Sequence, residues 1–202
     1  MIKICILHIE KLFNFTKTKT MVKFKNLIEK YSDFFTKKKI EKNILLYETG
    51  EPIKKIYYSE KGRTRIYSIY KQGNKPEKEV TRGFFFENEA VIPIRAFTQN
   101  IPVFVDIETI DDCVMQVITV ADWKKIEKQE PVLIRDVLLD TFDNVLKHFY
   151  NYQLINSYDA KIRVKEFFKI YPNLKDIKNE YIASLLGNDP SHFSTIRHKL
   201  GL

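Results

Sequence analysis

The densest group of side chains able to contact a polar surface lies close to the C-terminus. Ser191, His192, Ser194, Thr195, His198 and Lys199 supply hydroxyl, imidazole and ammonium groups within one short run. These groups donate and accept hydrogen bonds. Phe193, Ile196 and Leu200 interrupt them at spacings of three and four. Stepping about 100° per residue from Phe193 places Ile196 and Leu200 beside it. Ser191, Thr195 and His198 then fall on the opposite side. The pattern predicts a helix with a buried apolar stripe and an exposed polar face. Such a face can read base edges, and the flanking Ser194 and Lys199 suit phosphate contacts. Thr195 can meet a thymine methyl or make a single hydrogen bond. His192 and His198 add polarity. Arg197 falls nearer the buried side, which predicts a structural tie or a peripheral phosphate contact.

A reading helix must be held by a second one. Tyr181, Ile182, Leu185 and Leu186 recur at helical spacing, and Ala183 is small where another helix would cross. Gly187 follows, at a position that often needs a positive φ. Asp189 can cap the next helix, and Pro190 fits its first turn, where no N–H is required. Two short helices joined by a tight turn form the pattern of a DNA-reading helix-turn-helix.

Upstream, residues 160–171 form an amphipathic helix with Ile162, Phe167, Phe168 and Ile170 on its core side, stopped by Pro172. Residues 131–157 read as one long helix. In it, Leu138, Phe142, Val145, Phe149 and Tyr152 are spaced 4, 3, 4, 3. That seam suits a partner helix and predicts a homodimer, the alternative being packing onto the chain's own barrel. A short helix or turn is expected over 123–129.

Between residues 40 and 118 the period changes. Ile44-Leu45-Leu46-Tyr47, Ile56-Tyr57-Tyr58, 63–70, 103–109 and 114–118 read as strands separated by Gly-containing turns. In 103–109 the apolar Val103, Val105 and Ile107 alternate with Phe104, Asp106 and Glu108. Strands at this spacing predict a β-sandwich or jelly-roll barrel. Phe24, Leu27, Ile28, Tyr31 and Phe34 or Phe35 lie on one helical face ahead of it, and Lys37-Lys38-Lys39 is expected to be solvated.

The formal net charge is +8, concentrated in the first fifty residues and after Tyr158, while 51–130 is close to neutral. A basic end carrying a helix-turn-helix agrees with an anionic partner. Cys5 and Cys113 offer no metal or disulfide spacing, and His8, His148, His192 and His198 all lie outside the barrel stretch. No catalytic constellation or cofactor is therefore expected, and the chain does not read as an enzyme. The apolar start, Met-Ile-Lys-Ile-Cys-Ile-Leu-His-Ile, is far shorter than the ~20 residues needed to span a bilayer. It lacks a cleavage-site pattern. Residues 1–20 are expected to be a loose extension, with Met21 as an alternative start, no membrane contact and a cytoplasmic location. Asn14-Phe15-Thr16 matches a glycosylation pattern without secretory context.

The series of β-roll, long helix and helix-turn-helix resembles the cyclic-AMP receptor and FNR (Crp/Fnr) family of bacterial transcription regulators. The resemblance runs from about Phe35 to the end. It is strongest where the strand from Leu45 leads into Gly50-Glu51-Pro52, and where Ile182-Ala183-Ser184-Leu185-Leu186-Gly187 leads to Pro190 and Ser194. It implies an α+β fold. Residues 21–130 would be a cyclic-nucleotide-binding-like β-roll (a double-stranded β-helix, jelly-roll-like), 131–157 a dimerisation helix and 158–202 a winged-helix-like reader without its wing. It further implies a homodimer on an inverted-repeat double-stranded DNA operator, with RNA polymerase as a further partner and a small-molecule effector of unknown identity. Family members often carry Arg where Thr195 stands.

Nucleotide binders in the family have a Gly-Glu pair after the glycine that corresponds to Gly83, and an Arg-Ser or Arg-Thr pair later. Here these positions are assigned to Glu87-Asn88 and Pro102-Val103. Glu87 or Glu89 would repel a phosphate; Arg95 in the intervening loop could replace the lost arginine, though its spacing does not single it out. Cyclic AMP is not an expected ligand of the pocket formed by Gly83, Glu87, Asn88, Glu89, Arg95, Pro102 and Val103. The competing reading is a ligand-binding β-barrel whose helix-turn-helix is only an interaction module.

Overall fold

Alternating apolar and polar side chains on short, turn-bounded segments build two facing antiparallel sheets. The computed structural model describes residues 20–71, 73 and 76–202. The first sheet has the order β1-β8-β3-β6, from Thr36–Ile40, Cys113–Thr119, Lys55–Lys61 and Ala90–Val91. The second has the order β2-β7-β4-β5, from Leu45–Tyr47, Asp106–Thr109, Thr64–Tyr70 and Lys78–Phe85. Between them lie Tyr47, Phe85, Val91, Ala96, Val103 and Ile107, with Tyr57 and Ile66 partly buried against them. The interior of the roll is thus filled by the chain's own apolar side chains.

One turn fixes the seam between β3 and β4. Gly62 has φ 89°, and a Cβ there would sit 2.6 Å from Cys113 Sγ. Only glycine fits both the backbone and the space. Cys113 is buried, and burial followed by the charge of Asp111 pushes its thiol pKa up to about 12. It is an inert core residue.

Helices close the ends. α1 (Thr20–Lys30) sets Phe24 and Leu27 against Tyr58, Trp123, Ile126, Ile134 and Val137. The helix expected over the 24–35 region begins earlier, ends at Lys30 and gives way to a single 3-10 turn at Ser32–Phe34. The expected loose extension lies outside the described residues, apart from Thr20, which opens α1. α2 (Ile94–Gln99) crosses between β6 and β7. α3 (Val120–Gln129) starts at Thr119, whose hydroxyl accepts the Asp122 N–H at 3.0 Å. α4 (Pro131–Asn156) has proline in its first turn and, at 26 residues, runs for about 39 Å. α5 (Ala160–Ile170), a 3-10 turn (Pro172–Leu174), α6 (Asn179–Leu185) and α7 (Pro190–Lys199) follow.

Several elements differ from expectation. β7 covers only Asp106–Thr109, so the expected strand 103–109 is shorter. Val103 and Ile107 are buried, but the opposite face is not simply solvent. Asp106 accepts the Thr49 N–H at 2.7 Å, and Glu108 pairs with Arg65. The lysines at 37–39 lie on an edge strand, where their charge discourages pairing with another sheet. β5, β6 and α2 were not expected at all.

Candidate nucleic-acid interface

The site begins with a cap. Asp189 Oδ1 accepts the N–H groups of Ser191 at 2.9 Å and His192 at 3.1 Å, and Pro190 occupies the first turn of α7. Hydrogen bonds from the Ser191 hydroxyl and these amides hold the Asp189 carboxyl below its ordinary pKa. Gly187 takes φ 65°, turning the chain between α6 and α7. Phe193 and Ile196 are buried against Phe168, Ile182 and Leu186. That burial forces the other side of α7 outward, and Ser191, His192, Ser194, Thr195, His198 and Lys199 are all exposed. Thr195 donates its hydroxyl proton to Ser191 O at 3.0 Å, leaving its methyl and its lone pairs outward. Asn179 Nδ2 donates to Ser194 Oγ at 3.4 Å, joining the two helices.

Arg197 lies on the inner side. Its guanidinium donates to Leu202 O at 3.2 Å and to Asn179 Oδ1 at 2.5 Å, also reaches Lys175 O, and lies 5.0 Å from the centre of the Phe168 ring. It ties α7 to α6 and is not presented to a groove.

The long helix requires a correction. Phe142 and Phe149 are about half exposed, as a seam needs. Leu138, Val145 and Tyr152 are turned to the chain itself. Leu138 packs by Ile134 and Val137, Val145 packs on the roll interior, and Tyr152 is 8% exposed. Tyr152 fits over Gly83, where an added Cβ would stand 3.4 Å from its ring. The exposed apolar residues are instead Leu139, Phe142 and Phe149, and the half-buried Leu146 completes a row spaced 3, 4, 3 on the same helical face. Leu139 and Leu146 were missed because the helical period alone does not say which side the roll occupies.

The expected ligand-pocket residues lie in different surroundings. Gly83 is covered by Tyr152. Glu87 is exposed and accepts the Gly62 N–H at 3.2 Å. Asn88 carries a left-handed backbone, φ 64°, in the turn between β5 and β6. Glu89 faces α4 and the reader. Its carboxylate accepts the Phe86 N–H at 2.9 Å and lies 3.1 Å from His148 Nε2. His148 Nδ1 is 3.1 Å from the Tyr171 hydroxyl, which also accepts from Asn151 at 3.1 Å. Burial, the largest single influence, would raise the Glu89 pKa, but His148, Asn144 and the Phe86 N–H together outweigh it and hold the carboxyl low. Arg95 is exposed, reaching Gln99 at 3.4 Å and the Phe104 ring at 5.7 Å. Pro102 is exposed, whereas Val103 is 3% exposed inside the apolar cluster.

Two arginines escaped sequence reading. Arg63 and Arg65, two apart where strand residues share a face, bind carboxylates of the roll and groups of the reader. Their spacing, Arg-Thr-Arg after Lys-Gly, was the available signal.

Among the described residues, no helix is long and apolar enough to cross a membrane. No three His, Cys, Asp or Glu side chains among them are placed to hold a metal.

No family model matches the chain, and no curated protein matches it in sequence. Its structure, however, is similar to solved ones. The c-di-GMP-responsive global regulator CLP of Xanthomonas campestris is 14% identical, with a TM-score of 0.65 over 86% of this chain and 90% of that one. A protein from Eubacterium rectale described as a transcriptional regulator of the Crp/Fnr family is 18% identical, with a TM-score of 0.66 over 94% and 86%. FixK2 of Bradyrhizobium japonicum is 16% identical, with a TM-score of 0.65 over 83% and 86%. The chain thus shares the α+β fold of Crp/Fnr regulators, and at these identities the likeness establishes the fold.

Proposed function

We propose that the chain is a sequence-specific DNA-binding transcription regulator that works as a cytoplasmic homodimer. The observation that carries this reading is α7 itself. A capped helix, pinned by Phe193, Ile196 and Arg197, presents Ser191, Thr195 and His198 on its free face. A major groove admits such a helix, and the first helix of the pair then crosses the backbone. Lys199 and Ser194 flank the face for phosphate contacts. The pairing surface is the outward row of α4, Leu139, Phe142, Leu146 and Phe149. Two copies joined there carry two α7 helices, so the target is an inverted repeat.

The roll does not respond to cyclic AMP. A buried phosphate requires charge-assisted donors, and Val103 offers only apolar atoms where the family has its phosphate partner. Selection from a random DNA pool tests the reading. Wild type should enrich an inverted repeat, and Thr195→Arg should enrich a different half-site, because a bidentate arginine–guanine pair discriminates by roughly 1–3 kcal/mol. Enrichment of the same motif by both proteins, or of none by either, would show that this face does not read DNA.

A further inference from the structure

Besides the apolar core that joins reader and roll, two attachments bear on the reader's angle. One is covalent. Between α4 and α5 the chain leaves the helical path, and Asp159 has φ −56° and ψ 151°. A body held only at such a joint can swivel. The other attachment is on the outer face of the second sheet. There Arg63, just ahead of β4, and Arg65, within it, project side by side.

Arg63 is bidentate twice over. It donates to Asp111 at 2.6 and 2.8 Å, and to Asp176 of the reader at 2.6 and 2.9 Å. It also reaches Asn173 O in the reader. Arg65 is 3% exposed. Its Nε lies 2.8 Å from Glu108 Oε1, an ion pair by distance that lacks the alignment of a hydrogen bond, and it donates to Glu79. Its guanidinium lies between the ring of Tyr67, 4.1 Å away, and that of Tyr181 on α6, 3.9 Å away. Next to them the Thr81 N–H, on edge strand β5, donates to Ser184 Oγ of α6 at 3.0 Å.

These contacts differ in kind from the apolar core that also joins the two parts. Apolar burial is non-directional and tolerates sliding. A doubly bidentate arginine and a guanidinium stacked between two rings fix register and angle. Moreover, Arg63 keeps Asp111 and Arg65 keeps Glu108 and Glu79 whether or not the reader is seated. The roll-side carboxylates thus hold both guanidiniums in place, and the reader-side partners Asp176, Tyr181 and Ser184 are available for positioning.

We propose that Arg63 and Arg65 form a positioning clamp that fixes the angle of α7 relative to α4, and that the clamp thereby sets the spacing between half-sites that the dimer accepts. This rests on the DNA-binding reading above and deepens it. The clamp residues touch no base.

The test uses the full chain and the inverted repeat recovered from the random pool, remade with one or two base pairs added to or removed from its centre. One inserted pair separates the half-sites by about 3.4 Å and turns one against the other by about 34°. Wild type should lose at least about tenfold in affinity per inserted pair, because a clamped reader cannot follow that rotation. Asp176→Asn combined with Tyr181→Leu should flatten the profile to within about threefold, with base preference unchanged. Asp176 is well exposed, so its replacement does not threaten the fold. Asp176→Glu alone should keep the narrow profile. An unaltered spacing profile in the double variant would show that the clamp positions nothing. A change of base preference in that variant would show that it damages the reader itself, which also overturns the proposal. If wild type prefers no inverted repeat at all, the DNA-binding reading has failed and this inference goes with it.

Discussion

The outward row of α4 yields the most quantitative expectation. Phe149 is 51% exposed, Phe142 46% and Leu139 53% in the single chain. A phenylalanine side chain buries roughly 150–250 Å² when fully enclosed, so Phe149 leaves about 100 Å² to be covered by a partner. At about 25 cal/mol per Å² that is about 2.5 kcal/mol for each copy, and two-fold symmetry counts it twice. Phe149→Ala should therefore weaken association by about 5 kcal/mol, or between three and four decades in Kd. Phe149→Glu adds a charge facing its own symmetry mate and should leave no dimer at micromolar concentration. Sedimentation velocity over a dilution series measures this directly. Tyr152→Ala provides the contrast. Tyr152 is enclosed by its own chain over Gly83, so its loss should lower Tm while the dimer persists. A Phe149→Glu protein that remains dimeric with wild-type Kd, or a wild type that is monomeric throughout, would refute the assignment of this row.

Other expectations come from single contacts. Asp189→Ala removes the cap that two amides of α7 use, and should lower Tm by about 2–4 °C in a thermal melt. The Glu89 carboxyl is held low in the folded protein, so the folded state binds fewer protons than the unfolded one as acid is added. Its contribution is complete above the ordinary carboxylate range near pH 4.5 and is lost as pH falls through the lower folded value. Glu89→Gln should thus flatten the acid side of a plot of Tm against pH, and an unchanged slope would show that the His148 contact does not hold the charge. Titration calorimetry with cyclic AMP should show no saturable heat, and a micromolar 1:1 isotherm would place a phosphate site where Val103 now fills the space.

The legible parts of the fold were those whose signals are local. Gly187, Asp189 and Pro190 each act within one turn of chain, so the α6–α7 pair could be placed from residues alone. β5 was illegible for a physical reason. Lys78-Glu79-Val80-Thr81-Arg82 is charged at three of its first five positions. Its ladder also slips between Ile66 and Tyr67 of β4, leaving Arg82 as an extra residue. What makes it a strand is β4 on one side and Ser184 of α6 on the other, and both are distant in sequence. The pocket residues were less legible still. Glu87, Asn88 and Glu89 were placed by counting from Gly83. The backbone shows that the left-handed residue is Asn88, and Glu89 is consumed by His148.

Which residues of α4 face the chain itself was half legible, and the geometry of the helix explains which half. With Leu138 at 0° on the helix wheel, Val145 and Tyr152 lie at about −20° and −40°, and Phe142 and Phe149 at about +40° and +20°. The buried Ile134 shares the −40° position, and Val137 and Ile155 fall further negative, at about −100°, while Leu139 and Leu146 fall at about +100° and +80°. The 4, 3, 4, 3 row therefore runs along the border between two apolar faces. Periodicity detects the sum of the two, and its maximum lies between them. What separates the faces is α1, whose Phe24 and Leu27 join Ile134 and Val137 in one cluster, together with the roll that receives Val145. The half exposure of Phe142 and Phe149 follows from the same border position. A partner helix seated on Leu139, Phe142, Leu146 and Phe149 would accordingly lie beside Leu138 and Val145, the residues of α4 that pack into the chain's own clusters.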